Sequence, residues 1–376
     1  MNRREFIKFS AFLSAMLTNI KDKNVFASQS LRILILGGTR FIGPHLIETA
    51  LLAGHKVSIF NRGITVLDQN LANQVEILIG DRENNLDALK NRTWDVVIDN
   101  HTSLPKWVFD LSKVLKGNIG HYIFISTISV YADLSIPNTK EDAKLLNYTG
   151  MDCMSETIES MHAHFRYGQL KVQCELQALQ EFFQQCLIIR PGLIVGPLDP
   201  TDRFTYWPVR IFKGGEIAAP GNPKDPVQFI DVRDLSKWII HMAENQEKGI
   251  YNACGPIINY TIGEMLNAFK ECIKPEAKLT WIDDLTLEKN NISGWKDMPV
   301  WISPRSSSKG MLQINIDKAI NKGLTCRSCE ITALDTLNWV LEKHPYKFQK
   351  EKLLAGLSEE REMNLLNEFF ILQGPK

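Results

Sequence analysis

The chain has 376 residues, 44% of them hydrophobic, and its 43 basic and 43 acidic side chains cancel to a formal charge of zero. That is enough apolar material for one large α/β domain plus a smaller one. Scattered, balanced charge argues against a nucleic-acid or membrane-surface footprint, and the lack of any run of about twenty apolar residues argues against a membrane span.

The first residues read as a processing segment. Asn2, Arg3, Arg4, Glu5, Phe6, Ile7 and Lys8 make a twin-arginine pattern, followed by a modest apolar stretch over 9–20 and by Val25, Phe26 and Ala27 as small-residue positions suited to cleavage. Residues 1–27 are therefore expected to be a twin-arginine export signal, which places the mature protein in the periplasm and keeps the segment out of fold reasoning. The seven cysteines are spread and odd in number, which argues against a disulfide scaffold. Cys326 and Cys329 have C-x-x-C spacing without a second pair, so no zinc site is expected, and packed thiols are favoured over a disulfide.

Leu31 to Gly43 (LRILILGGTRFIG) organises the rest. Ile33, Leu34, Ile35 and Leu36 predict a buried strand. The turn Gly37, Gly38, Thr39, Arg40, Phe41, Ile42 and Gly43 then predicts entry into a helix. Strand, Gly-rich turn and helix make the first unit of a dinucleotide-binding fold, with backbone N–H groups at the helix N-terminus offered to a pyrophosphate. Residues 55–60 predict a second strand ending at Asn61 and Arg62. An acidic residue there would take ribose hydroxyls. Its replacement by Asn61, with Arg62 and Arg40 able to pair with a 2′-phosphate, favours NADP over NAD, unless Arg62 is only a solvated loop residue. Residues 74–79 predict a third strand ending at Asp81 and Arg82, where Asp81 can meet an adenine amino group or cap a helix. Residues 94–98 predict a fourth, ending at Asn100 and His101, where ligands gather in open parallel sheets.

Residues 121–130 (HYIFISTISV) predict a fifth strand with a hydroxyl-rich end, Ser126, Thr127 and Ser129, before Tyr131. A loop-rich excursion over 132–160 precedes a helix expected from about His164 to Gln185. Tyr167 and Lys171 lie four apart, hence on one helix face. A free phenol has a pKa near 10, too high for a base at neutral pH, and a fixed ammonium nearby lowers it. A strand-end hydroxyl would polarise the substrate oxygen. The alternative is a surface aromatic–lysine pair.

These segments together resemble the extended short-chain dehydrogenase/reductase family, the NAD(P)-dependent sugar-nucleotide epimerases and dehydratases, over residues 31–345. Further family-like segments are Leu187 to Gly192, Ile194 to Pro197, Phe229 to Leu235, and Ile250 to Asn252. The resemblance implies a Rossmann-like doubly wound parallel sheet over 31–195 and a smaller C-terminal α+β substrate region over 196–345. Residues 227–240 would pack back on the sheet, and 346–376 would form a helical tail that packs on the body or on a second subunit. It also implies Thr127, four residues before Tyr131, as the catalytic hydroxyl with Ser126 beside it, Tyr167 as base, and Lys171 tuning the tyrosine and holding the nicotinamide ribose. Pro191 would lie at the cofactor. Arg203, Tyr206, Trp207, Arg210 and Lys213 would face a sugar-like, phosphorylated substrate or else form a packing face. Two departures stand out: Arg40 replaces the middle glycine of the turn, and the acidic residue after the second strand is missing. The GGTRFIG wording also resembles a subgroup that includes plant chloroplast stem-loop RNA-binding proteins, which raises a non-catalytic binding protein as the rival reading. No metal site is expected: His162 and His164, two apart on a helix, diverge.

Overall fold

The computed structural model describes residues 30–100, 102–258, 260–274, 276–344 and 353–373; residues 1–27, read as an export signal, and His101 lie outside the described residues. The strands, in chain order, are β1 (Arg32–Leu36), β2 (Lys56–Asn61), β3 (Glu76–Ile79), β4 (Trp94–Asp99), β5 (Ile119–Ile125), β6 (Cys186–Pro191), β7 (Ile194–Val195), β8 (Glu216–Pro220), β9 (Pro226–Val227), β10 (Ile230–Asp231), β11 (Gly249–Ala253), β12 (Tyr260–Thr261) and β13 (Lys278–Ile282). Seven of them form one parallel sheet in the order β3-β2-β1-β4-β5-β6-β11. This is the doubly wound order, whose switch point falls between β1 and β4.

The near-continuous apolar strands follow from burial on both faces. Ile33, Leu34, Ile35 and Leu36 of β1 have no exposed surface. On one side Ile33 and Ile35 join Leu46 and Ile47 of the Ile42–Leu52 helix and Leu235, Trp238 and Ile239 of the Val232–Glu244 helix. On the other, Leu34 and Leu36 join Val108 and Leu111 of the Pro105–Leu115 helix and Cys174 and Ala178 of the Tyr167–Phe182 helix. Each such aliphatic side chain contributes about 1.5–3 kcal/mol by leaving water.

Beyond β7 a separate cluster forms around Phe204, Trp207, Phe269 and Trp301. It is framed by the parallel pair β8–β13, the antiparallel pair β9–β12, and the Tyr206–Lys213, Ile262–Ile273 and Cys329–Lys343 helices. Thr261 and Glu264 close a reciprocal capping box at the start of the Ile262–Ile273 helix. Asp231 caps the Val232–Glu244 helix, its carboxylate accepting from the Arg233 backbone N–H at 2.8 Å. The Glu359–Gln373 tail helix buries Leu365 and Leu366 in the same cluster. The cysteines are free thiols, Cys326 and Cys329 included.

Two elements differ from expectation, for local reasons. β5 stops at Ile125 rather than Val130. The Ser126 backbone N–H still bonds the Ile189 carbonyl at 2.7 Å, but Thr127 then caps a 3-10 turn over Ile128–Val130. The helix expected from about His164 starts at Tyr167. A separate turn, Ile158–Ala163, is closed by its own Thr157–Ser160 capping box, and Phe165 reverses the chain at φ 52°.

Candidate functional site

The carboxyl ends of β1, β2, β4 and β5 meet beside the switch point, and the expected site residues gather there. Gly43 lets the Ile42–Leu52 helix start against the turn: a Cβ on it would stand 2.3 Å from the Gly38 carbonyl carbon, a distance no side chain tolerates. Phe41 enters that helix at φ 43°, a strained conformation for an aromatic residue. Thr39 and Ile42 lie within the same turn and helix start. Arg40 is exposed, its Nε donating to Thr65 Oγ1 at 3.1 Å. Arg62 is exposed, with no ion-pair partner among the described residues. Asn61 accepts from the Gly63 N–H at 2.7 Å, yet its Nδ2 is buried without a partner, as is Asn100 Oδ1. Orphaned amide atoms at the ends of β2 and β4, the strands on either side of β1, call for a ligand. Together with the open helix N-terminus they fit a dinucleotide.

Lys171 is 3% exposed and donates to two backbone carbonyls, Thr102 O at 2.8 Å and Ile125 O at 2.6 Å. Those bonds tie it to the ends of β4 and β5. Burial lowers its pKa, and Asp99 and Glu175 are among the groups that oppose the shift. Tyr167, one turn earlier, is 43% exposed. Desolvation raises its phenol, while the Thr127 side chain pulls the other way, so the hydroxyl end faces Thr127. Gly168 makes that approach possible. A Cβ there would stand 2.2 Å from the Ser129 carbonyl oxygen, so only glycine lets the helix start on the Thr127 turn. Thr127 is half-buried; its Oγ1 accepts from the Ser129 N–H at 3.1 Å and keeps a donor for Ser129 Oγ or a ligand.

Two expected site residues have their donors already taken. Ser126 is buried and donates to Glu175 Oε1 at 2.5 Å, which leaves Thr127 as the open hydroxyl. Arg82 forms a bidentate pair with Asp99, at 2.8 and 2.6 Å, instead of reaching outward. Asp81 accepts from the Glu83 N–H at 2.9 Å, closing its own turn, and Pro191 is buried in β6 opposite Ala253. The expected substrate cluster also divides. Tyr206 and Trp207 are core residues, Arg210 pairs with Glu362 at 2.6 Å, and Lys213 pairs with Glu359 at 2.7 Å, both on the tail helix. Arg203 alone remains available, over the Trp295 ring.

Beneath the site lie two buried networks that sequence patterns did not reveal. Asp99 accepts from Thr102 Oγ1 at 2.7 Å and from the Tyr122 hydroxyl at 2.6 Å, besides Arg82. Glu175 holds Arg190 at 2.9 and 2.7 Å; Arg190 also donates to the Tyr131 hydroxyl, which donates to Asn252 Oδ1 at 2.6 Å. Glu175 follows Lys171 by one more helical turn, a spacing that was available as a signal.

No protein-family model matches the chain. The chloroplast stem-loop binding protein of 41 kDa b from Arabidopsis thaliana is 27% identical over 248 residues, covering 61% of this chain and 60% of that protein. The match thus spans less than two thirds of the relative's length. Solved structures agree over more of the chain. dTDP-glucose 4,6-dehydratase from Bacillus anthracis, in complex with NAD, aligns with TM-score 0.59 at 16% identity over 84% of this chain and 98% of that one. UDP-N-acetylglucosamine 4-epimerase from Methanobrevibacter ruminantium M1 aligns with TM-score 0.60 at 18% identity over 84% and 99%. UDP-glucuronic acid 4-epimerase from Bacillus cereus aligns with TM-score 0.58 at 15% identity over 83% and 99%. The chain is therefore built on the Rossmann-like fold shared by NAD-dependent epimerases and dehydratases.

Proposed function

We propose that this protein is an NAD(P)-dependent oxidoreductase of the epimerase/dehydratase kind, acting on a hydroxyl of a sugar or sugar-nucleotide-like substrate. The observation that carries this reading is the meeting of Thr127, Tyr167 and Lys171 at the β4–β5 ends, beside the Gly-rich turn and the orphaned Asn61 and Asn100 amides. Tyr167 takes the proton of the substrate hydroxyl, Thr127 donates to the substrate oxygen, and Lys171 supplies the fixed charge that favours the phenolate. Gly37, Gly38 and Gly43 with the helix N-terminus would hold the pyrophosphate; Asn61 and Asn100 would close on the rest of the nucleotide. Arg62, exposed and without an ion-pair partner among the described residues, with Arg40 nearby, supports NADP over NAD. The bound nicotinamide supplies a hydride acceptor that can also return the hydride. Export through residues 1–27 belongs to the same proposal, and favours a resident cofactor that is regenerated within each turnover.

The test is to denature the purified protein and identify any released nucleotide by mass spectrometry. Stoichiometric NADP(H) or NAD(H) is expected. A chain that carries neither, and binds neither on titration, overturns the reading. Tyr167→Phe is expected to abolish turnover. The second reading, a stem-loop binding protein on the same fold, draws on the Arabidopsis relative's name. Against it stand the zero net charge and the intact Thr127, Tyr167 and Lys171 set. Salt-sensitive RNA retention on a filter would favour it.

A further inference from the structure

We infer that Asp99 is a positioning residue of the site: through the segment that follows it, it sets the place of the Lys171 amine and of the Asn100 amide. The inference rests on the enzymatic reading above, which gives Lys171 and Asn100 their roles. Asp99 ends β4 and is fully buried. Each of its oxygens accepts two bonds. Oδ1 takes Arg82 Nη1 at 2.8 Å and Thr102 Oγ1 at 2.7 Å; Oδ2 takes Arg82 Nη2 and the Tyr122 hydroxyl, both at 2.6 Å. A carboxylate offers about four acceptor sites, so Asp99 has none left for a ligand and can act only through its neighbours. Those neighbours fix it from three sides. Arg82 comes from the turn after β3, Tyr122 from β5, and Thr102 from the segment after β4. Arg82 is itself steadied by the Pro105–Leu115 helix, its guanidinium carbon 5.9 Å from the Trp107 ring centroid.

What Asp99 holds is an anchor of Lys171. Thr102 is fully buried and engaged twice: its hydroxyl donates to Asp99, and its carbonyl accepts from Lys171 Nζ at 2.8 Å. A donor on a flexible four-carbon stem stays where its acceptors put it. Lys171 has two. Ile125 O belongs to β5 and is placed by the sheet. Thr102 lies beyond the end of β4, outside the ladder, and its bond to Asp99 supplies the placement the sheet does not. Asn100 stands between Asp99 and Thr102, with its Oδ1 buried and unpartnered. One clamp at the root of this segment therefore serves both the amine and the amide. Asp99 also acts on the amine by charge. Burial pulls the Lys171 pKa down; Cys174, Asp99 and Glu175 oppose that, and Arg82 adds to it. The Phe124 ring, 4.6 Å from Nζ at its centroid, and Tyr167, one turn earlier, complete the surroundings. A buried ion pair kept for stability alone can be exchanged for apolar side chains of the same volume. Here that exchange would strip the Thr102 hydroxyl of its acceptor and free the carbonyl that holds Lys171.

The experiment labels the lysines of the full chain isotopically at Cε and follows the Lys171 signal by proton–carbon NMR against pH. Loss of the signal in Lys171→Arg assigns it. Asp99→Asn keeps the shape but turns an acceptor into a donor, and is expected to lower the Lys171 midpoint by about one pH unit or more, a tenfold fall in proton affinity. Thr102→Val removes only the hydroxyl, leaves the Arg82 pair in place, and is expected to move the midpoint the same way. Thr102→Ser restores the hydroxyl and should restore the parent's midpoint. Arg32→Gln, which breaks the exposed pair with Asp95 near the other end of β4, should not move it. Calorimetric titration of the same chains with NAD+ and NADP+ reads the Asn100 arm: Asp99→Asn should weaken binding about fivefold or more, the loss of one hydrogen bond. An unmoved Lys171 midpoint in Asp99→Asn, or Thr102→Val and Thr102→Ser chains that behave alike, overturns the inference. If Asp99→Asn does not fold, the two Thr102 variants decide. Parent-like cofactor affinity in Asp99→Asn overturns the Asn100 arm. A parent chain that binds neither nucleotide defeats the enzymatic reading, and the Lys171 midpoints still decide whether Asp99 places the amine.

Discussion

Glu175→Gln tests the packing beneath the site without requiring a known substrate. Glu175 and Arg190 are 2% and 1% exposed. The substitution removes the counter-charge and turns one of the two carboxylate oxygens into an amide N–H donor, leaving Arg190 a neutral amide oxygen, the Tyr131 hydroxyl at 3.1 Å and the Glu141 carbonyl at 2.9 Å as acceptors. Breaking a buried pair from one side costs about 3–5 kcal/mol. That is a large share of the roughly 5–15 kcal/mol that holds a domain folded. With a urea m-value of about 3 kcal/mol/M, the unfolding midpoint drops by about 1 M or more. The double variant Glu175→Leu with Arg190→Met removes both charges. Its main residue is a Ser126 hydroxyl without an acceptor, worth about 1 kcal/mol, because Tyr131 keeps Asn252. The double variant should therefore lie within about 2 kcal/mol of the parent, far above the sum of the singles. Urea unfolding followed by far-UV circular dichroism reads Glu175→Gln, the double variant and its own singles, Glu175→Leu and Arg190→Met. A Glu175→Gln cost below about 1 kcal/mol, or a double variant that costs the sum of its singles, would refute the buried pair.

Burial drives the His121 pKa from 6.5 down to about 4, and its Nε2–H donates to Glu247 O at 2.8 Å. Because the unfolded chain takes up the proton first, stability is complete above about pH 6.5 and is lost as pH falls toward 4, by about 3 kcal/mol from this residue. His121→Gln should flatten that part of a melting-temperature profile against pH; an unchanged slope would assign the acid sensitivity elsewhere. Gly43→Ala gains about 1 kcal/mol of helix propensity but must push a methyl into the Gly38 carbonyl, so cofactor titration should show at least a tenfold loss, and parent-like affinity would discount that close approach. Replacing Arg40 and Arg62 together by Gln should weaken NADP+ about tenfold or more and leave NAD+ unchanged, since each charge-assisted bond is worth about 1.5–3 kcal/mol; equal losses for both nucleotides would remove the basis for an NADP preference.

What the sequence made readable was local. β1 and its turn, the Thr261–Glu264 box, the Asp231 cap and the four-residue spacing of Tyr167 and Lys171 depend on neighbours within a few positions. What it concealed was set by partners far along the chain. Arg210 and Lys213 looked like ligand residues beside aromatics, and nothing nearby foretold that a helix about 150 positions later supplies Glu362 and Glu359. Arg82 follows a strand end where ligands gather, but Asp99 at the end of β4 turns it in. Thr127 was the expected hydroxyl, with Ser126 as its neighbour on the same strand. The backbone separates them, ending the ladder at one and starting a turn at the other.

Tyr167, Lys171 and Glu175 occupy one face of their helix at successive turns, and their exposure falls from 43% to 3% to 2%. The helix therefore runs from the mouth of the site into the core with polar groups along the face where apolar residues would pack at less cost. Each group needs its own compensation. Lys171 has the Thr102 and Ile125 carbonyls, and Glu175 has Arg190 and Ser126. Buried ion pairs rarely stabilise more than apolar packing of the same volume, so fold stability does not account for the stripe. Its effect is electrostatic. Burial pulls the Lys171 pKa down, Asp99 and Glu175 are among the groups that oppose this, and Lys171 stands one turn from Tyr167, whose phenol desolvation raises. A scaffold that only presents a binding surface gains nothing from a buried lysine one turn below a part-exposed tyrosine, whereas proton transfer at a substrate hydroxyl can use one. Since the structural likenesses establish the fold alone, this stripe is what favours an enzyme over a binding module built on the same sheet.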